Sequence, residues 1–220
     1  MGNAEKLTRW IQICSDLDML DRLESDAHPH CPEEHAEWLH CAPMGPTEFE
    51  ALNFLFASVL LYKPNNILET GTENGFSAVA LASAVDFNGF GHVTTVDNSQ
   101  RTTAFYLAGR YGLDVHISYV QSDSMAFVEA YDGDPFDFVF FDSSIHVRHL
   151  EVNKLWERKK VRKLIAFHDT SRLRYVAMNR GTGDDFSSEY IAGMDEFAAS
   201  TCLNGLESHY GRGFRIMEIR

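Results

Sequence analysis

The sequence predicts an α/β protein: a doubly wound seven-stranded sheet, mostly parallel, with helices on both faces and a C-terminal antiparallel hairpin. Three observations predict it. From Asn66 onward, short apolar runs alternate with amphipathic stretches, the pattern of βαβ units joined by right-handed crossovers. Phe138-Val139-Phe140-Phe141 and Leu164-Ile165-Ala166-Phe167 are apolar throughout, as parallel strands covered by helices on both faces must be. Glu69, Asp97, Asp123, Asp142, His168 and Asp169 all fall at the carboxyl ends of such runs, where an open α/β sheet binds its ligands.

The elements follow in order. Residues 4–23 read as an amphipathic helix, because Leu7, Trp10, Ile11, Cys14 and Leu17 recur at three- and four-residue intervals; it packs over the core or against a second copy of the chain. Residues 24–46 are irregular, with His28, His30, Cys31, His35, His40 and Cys41 set among prolines. That cluster lacks the paired Cys-x2-Cys spacing of structural zinc sites, and a lid over a substrate is the expected role. A helix capped near Thr47 carries Phe49, Leu52, Phe56 and Leu60 on one face and is closed by Pro64.

Strand 66–70, helix 75–86, strand 92–97, helix 99–111, strand 115–120, helix 124–131, strand 136–142, helix 146–158 and strand 163–168 then form the Rossmann-like series. The basic strip Arg158, Lys159, Lys160, Arg162 and Lys163 reads as a solvated helix end that complements the dipole. A polar loop over 169–186, a helix near 187–200 and strands over 206–210 and 214–219, turned by Gly211-Arg212-Gly213, close the sheet. Two units are expected: an N-terminal helix and lid over 1–46, and the sheet domain over 47–220.

Composition bounds the function. A chain of 220 residues is large enough for one three-layer core. Its formal charge of −13 disfavours a nucleic-acid partner, which is gripped through clustered Lys and Arg. No run approaches the length of a membrane span, and the four cysteines, Cys14, Cys31, Cys41 and Cys202, show no paired framework. A cytoplasmic protein acting on a small molecule is the expectation.

The segment from Asn66 to Ser77 carries the chemistry: an apolar strand ends in Glu69, passes through Gly71 and Gly75, and enters a helix. The glycines allow positive φ and close approach of backbone to ligand, while the helix start points N–H groups into the loop. The loop is neither Gly-x-Gly-x-x-Gly nor Gly-Lys-Ser/Thr, the signatures of dinucleotide and P-loop sites. Glu69 and Asp97, at neighbouring strand ends, repel a pyrophosphate but suit an ammonium, a sulfonium and a ribose diol. That combination is S-adenosylmethionine. Glu69 is expected to orient the ammonium through the glycine loop and Asp97 to accept the ribose hydroxyls. Asp123, with Ser122 and Ser124, is expected beside the adenine, or as the N-cap of helix 124–131.

With Leu68-Glu69-Thr70-Gly71, Thr95-Val96-Asp97, Ser122-Asp123-Ser124, Phe136-Asp137-Phe138-Val139-Phe140-Phe141-Asp142-Ser143-Ser144 and Ala166-Phe167-His168-Asp169-Thr170 in this order, residues 45–220 resemble the class I S-adenosylmethionine-dependent methyltransferases. The likeness is to the small-molecule O-methyltransferase and methyltransferase 24 branches. It implies a cofactor site built from Glu69, Gly71, Gly75, Ser77, Asp97, Asn98, Asp123, Ser124 and Asp142. It also implies carboxylates at the ends of strands 4 and 5 that hold a divalent metal against the acceptor's oxygens. Here that set would be Asp142, His168 and Asp169, with His168 where catechol-type relatives have a carboxylate. Magnesium prefers all-oxygen ligands, so the histidine turns the expectation toward manganese, iron or zinc, or away from a metal. In the metal-free version His168 or His146 is a general base oriented by Asp142 or Asp169. Methyl transfer to nitrogen or carbon, and a non-catalytic S-adenosylmethionine-binding subunit, are the other readings. The acceptor is not written in any motif.

Overall fold

A computed structural model describes residues 2–27, 47, 49–100, 102–172, 188–208 and 212–219. Most of the expected lid, with its histidines and Cys31 and Cys41, lies outside the described residues, as do residues 173–187 of the polar loop. The elements are α1 (Asn3–Ala27), α2 (Phe49–Tyr62), β1 (Asn66–Thr70), α3 (Phe76–Asn88), β2 (His92–Asp97), α4 (Thr102–Arg110), β3 (Ile117–Gln121), α5 (Ser124–Ala130), β4 (Phe136–Phe141), α6 (Arg148–Glu157), β5 (Val161–His168), α7 (Ser188–Thr201), β6 (Asn204–Ser208) and β7 (Phe214–Glu218). They build one seven-stranded sheet in the order β3-β2-β1-β4-β5-β7-β6. The strands from β3 to β5 are parallel, and β7 runs antiparallel to both β5 and β6.

The order reverses between β1 and β4, so the carboxyl ends of these strands, with β2 and β5 flanking them, face one crevice. One core layer lies under α1, α2 and α3, where all of Phe76 to Val85 is buried. The other lies under α5, α6 and α7 and includes Leu68, Val139, Phe141, Ile165 and Phe167. Every residue of β4 is buried, so the apolar runs are explained by cover on both faces.

Three expectations are corrected. The buried stripe of α1 is Trp10, Ile13 and Leu17, with Trp10 stacked on Phe56 at 4.2 Å; Leu7 and Ile11 are 47% and 62% exposed. Both stripes have helical spacing, and a large aromatic partner decides between them. On α2 the buried residues are Ala51, Leu52, Leu55, Phe56 and Val59, while Phe49 faces solvent. The basic strip is not a solvated helix end. β5 starts at Val161, and Arg162 and Lys163 pair with the buried Asp137 at 2.7 and 3.4 Å. Arg158 and Lys160 donate to the carbonyls of Val128, Glu129, Asp132 and Gly133, tying down the loop before β4.

Candidate functional site

The loop after β1 is shaped by contact with the end of β4. Gly71 has φ 89°, and a Cβ there would lie 2.3 Å from the carbonyl oxygen of Asp142, so only glycine lets these two strand ends touch. Gly71 N–H donates to Val96 O at 2.8 Å, and Asp142 N–H to Thr70 O at 2.8 Å. Gly75, with φ 83°, starts α3, whose first amides open toward the loop. Thr47, Gly71 to Ser77 and Asp142 line a single cleft.

Two carboxylates flank this loop. Asp97 accepts from the amides of Thr72 and Glu73 at 3.1 and 3.0 Å through one oxygen and from Ser99 at 2.9 Å through the other. Its place at the end of β2 is as expected from sequence, but its hydrogen bonds are to the chain that forms the pocket wall. Glu69 is fully buried, and burial pushes its pKa up to about 8, against the pull of the Ser77 and Thr95 hydroxyls. Thr95 Oγ1 donates to its Oε2 at 2.5 Å, and Thr72 Oγ1 lies 2.6 Å from Thr95 Oγ1. Glu69 Oε1 has no hydrogen-bond partner among the described residues. An unsatisfied buried oxygen is costly, and this one lies behind the cleft wall at Ser77 rather than on it.

The remaining sequence candidates divide. Ser77 is buried in the cleft wall. Asn98 is exposed, and its Oδ1 accepts from Ser99 Oγ at 2.9 Å. Asp123 is exposed and caps α5 by accepting from Ala126 N at 2.8 Å. Ser124 faces Glu151, a buried glutamate that also takes hydrogen bonds from Thr70 and Ser143; burial raises its pKa despite these hydroxyls. His146 is exposed just before α6.

Asp142, His168 and Asp169 do converge, with ligand-type atoms within 4.8 Å of one another. His168 Nδ1 donates to Asp142 Oδ1 at 2.9 Å. That oxygen is also ion-paired with Arg148 at 3.0 Å, so it is an acceptor and the histidine nitrogen that faces it carries the hydrogen. Asp142 lines the cleft; His168, wholly buried, does not. The sequence placed both at the acceptor, and the structure puts only the aspartate on the cleft wall. Thr47 Oγ1 donates to the other Asp142 oxygen at 3.0 Å.

Sequence reasoning missed the two arginines that hold this cluster. Arg148 donates to Ser143 O at 2.6 Å, His168 O at 2.9 Å and Asp169 Oδ2 at 3.0 Å, and is ion-paired with Asp142 Oδ1 at 3.0 Å. Arg212 grips Asp169 through Nε at 2.7 Å and a terminal nitrogen at 3.1 Å. Both are buried, and Tyr190 Oη donates to His168 O at 2.7 Å beside them. A signal was present for Arg148: with Glu151, Val152 and Leu155 it follows the i, i+3, i+4, i+7 spacing of an inward helix face. Arg212 carries no such signal, since its position depends on the pairing of β7 with β5.

The donor set therefore does not fit a divalent cation. Two carboxylates are balanced by two guanidiniums, and a metal on Asp142 Oδ1 would sit roughly 4 Å from Arg148. Repulsion between charges of two and one at that separation is on the order of 8 kcal/mol at the effective dielectric of protein sites.

Residues 68–170 match the family model described as a methyltransferase domain. A caffeoyl-CoA O-methyltransferase of Stellaria longipes is 27% identical over 149 residues, covering 64% of this chain and 59% of that protein. An Arabidopsis thaliana protein provisionally given the same name is 26% identical over 156 residues, covering 69% of this chain and 66% of the relative. The chain thus spans 59% to 66% of the length of these curated relatives. An O-methyltransferase from Bacillus cereus, solved with S-adenosylhomocysteine, superposes with a TM-score of 0.61 at 22% identity over 81% of this chain and 84% of that one. A methyltransferase from Geobacter sulfurreducens superposes at 0.60 with 12% identity over 79% of each chain. Both show that the fold is shared.

Proposed function

We propose that this chain, whose residues 68–170 match a methyltransferase domain, transfers a methyl group from S-adenosylmethionine to a hydroxyl of a small molecule. The single observation that carries the reading is the contact between the glycine loop and Asp142, which sets a donor cleft and a proton-accepting pair side by side. When bound, the donor supplies a methyl carbon activated by a sulfonium. Glu69, with its unpartnered oxygen, and the amides at the start of α3 hold the methionine end. Asp97 fixes the loop and meets the ribose.

The acceptor hydroxyl meets Asp142, the member of the pair that lines the cleft, and its proton passes to the Asp142–His168 pair as the oxygen becomes nucleophilic. Apparent ionisations of such a pair belong to both residues together. Positioning and exclusion of water supply the rest of the rate, as in-line displacement on a cationic donor requires. The strongly acidic chain supports a small molecule over nucleic acid as acceptor.

Calorimetry with S-adenosylhomocysteine, followed by transfer of labelled methyl to a panel of phenols and alcohols, tests the reading. Wild type should bind the product, and Asp142→Asn and His168→Ala should each bind it normally while losing turnover by roughly 10² to 10⁴. Absence of binding by wild type defeats the proposal. Full activity of both variants defeats the assignment of the pair.

A further inference from the structure

We propose that the Arg148 guanidinium, assisted by Arg212, is the resident cation of the cleft's proton-accepting side, and that this chain neither holds nor needs a divalent ion on Asp142, His168 and Asp169. The inference rests on the reading of these residues given above.

The atoms a metal would need are already engaged. Both oxygens of Asp169 accept from Arg212, and one also accepts from Arg148. Asp142 Oδ1 is ion-paired with Arg148 and accepts from His168, and Oδ2 accepts from Thr47. His168 offers Nδ1 as a donor, the wrong polarity for a ligand on that side. Arg148 is 4% exposed, so the guanidinium cannot swing into water to make room without emptying its place in the fold. Arg148 also reads the backbone, since its bonds to Ser143 O and His168 O join the carboxyl ends of β4 and β5. A planar fork of donors can hold two carboxylates and two carbonyls at once, which an ammonium cannot. Arg148 is therefore a positioning residue: it fixes Asp142 at the cleft and, through it, the tautomer of His168.

The test is manganese binding by the metal-stripped, full-length chain, followed by electron paramagnetic resonance with and without saturating S-adenosylhomocysteine. Wild type should leave the signal of free manganese intact up to about 1 mM, the weak limit of oxygen-ligand sites. Its thermal midpoint and methyl transfer should be unchanged by chelator. Arg148→Met removes the guanidinium and leaves the carboxylates, so one manganese per chain should bind at least about tenfold more tightly than to wild type. Arg212→Met supplies the same comparison should Arg148→Met fail to fold. Manganese bound by wild type and lost in Asp142→Asn would overturn the proposal, as would variants that fold yet gain no affinity for manganese. S-adenosylhomocysteine binding, measured on the same sample, stands or falls separately and reports on the donor site alone.

Discussion

The two sides of the crevice treat strand-end carboxylates in opposite ways. On the β1–β2 side, Glu69 is met by hydroxyls and keeps one oxygen unpartnered among the described residues, and Asp97 is met by backbone amides. On the β4–β5 side, Asp142 and Asp169 are met by buried guanidiniums. The first arrangement leaves a hydrogen-bonding requirement unfinished among the described residues, which the proposed cationic donor would complete. The second is charge-balanced within the fold, which leaves Asp142 on the cleft wall to meet a neutral hydroxyl rather than a cation. A carboxylate at a strand end thus says where chemistry can occur, but its partners decide which kind of group it can meet.

The largest contrast should appear in stability. Arg148→Met leaves the buried Asp169 and the half-buried Asp142 short of a partner and should cost about 3–5 kcal/mol, the usual penalty for breaking a buried pair. In a chain of this length that lowers the thermal midpoint by roughly 10 °C. Glu69→Gln replaces a carboxyl already neutral at pH 7 and should change stability by less than about 1 kcal/mol. Equal losses in urea unfolding would erase the distinction between the two sides.

Next comes affinity. Asp97→Ala should weaken S-adenosylhomocysteine by on the order of 2–4 kcal/mol, through lost charge-assisted hydrogen bonds to the ribose and a loosened Thr72–Glu73 turn. The same change should leave the geometry of Asp142 and His168 intact, because β2 does not border β4. Calorimetry that finds unaltered binding in Asp97→Ala would assign this carboxylate to the loop alone.

The sheet was legible because periodicity and strand-end chemistry are local properties of the chain. Glu69, Asp97, Asp142 and His168 could be placed at one rim once the βα alternation was read, since parallel topology fixes where strand ends go. The faces of α1 and α2 were misread because Leu7 and Ile11 satisfy helical spacing as well as Trp10 and Ile13 do, and only tertiary contact with Phe56 separates them. The electrostatic state of Asp169 was not legible. It is set by Arg148 on α6 and by Arg212 just before β7, the latter 43 positions away and brought near by antiparallel pairing. Charge balance in a buried cluster is a property of the assembled fold, so a spacing of acidic residues alone does not decide for or against a metal.

The smallest effect is a single proton. Glu69 holds its proton in the folded chain up to a pH of about 8, whereas in the unfolded chain it releases it near 4.5. The folded state therefore binds one more proton between these values. Its contribution to stability is fully present below pH 4.5 and falls away as the pH rises toward 8. A donor whose ammonium is held near Glu69 reverses the preference and favours the carboxylate. At pH 7, binding should then release close to one proton, and affinity should rise by up to about 1.4 kcal/mol per pH unit until the pH passes 8. Titrations of wild type with S-adenosylhomocysteine in buffers of different ionisation enthalpy measure that proton directly. Glu69→Gln should release none and bind with no slope over this range. A wild type whose heat is the same in every buffer would mean that Glu69 stays protonated in the complex and does not answer the ligand's charge.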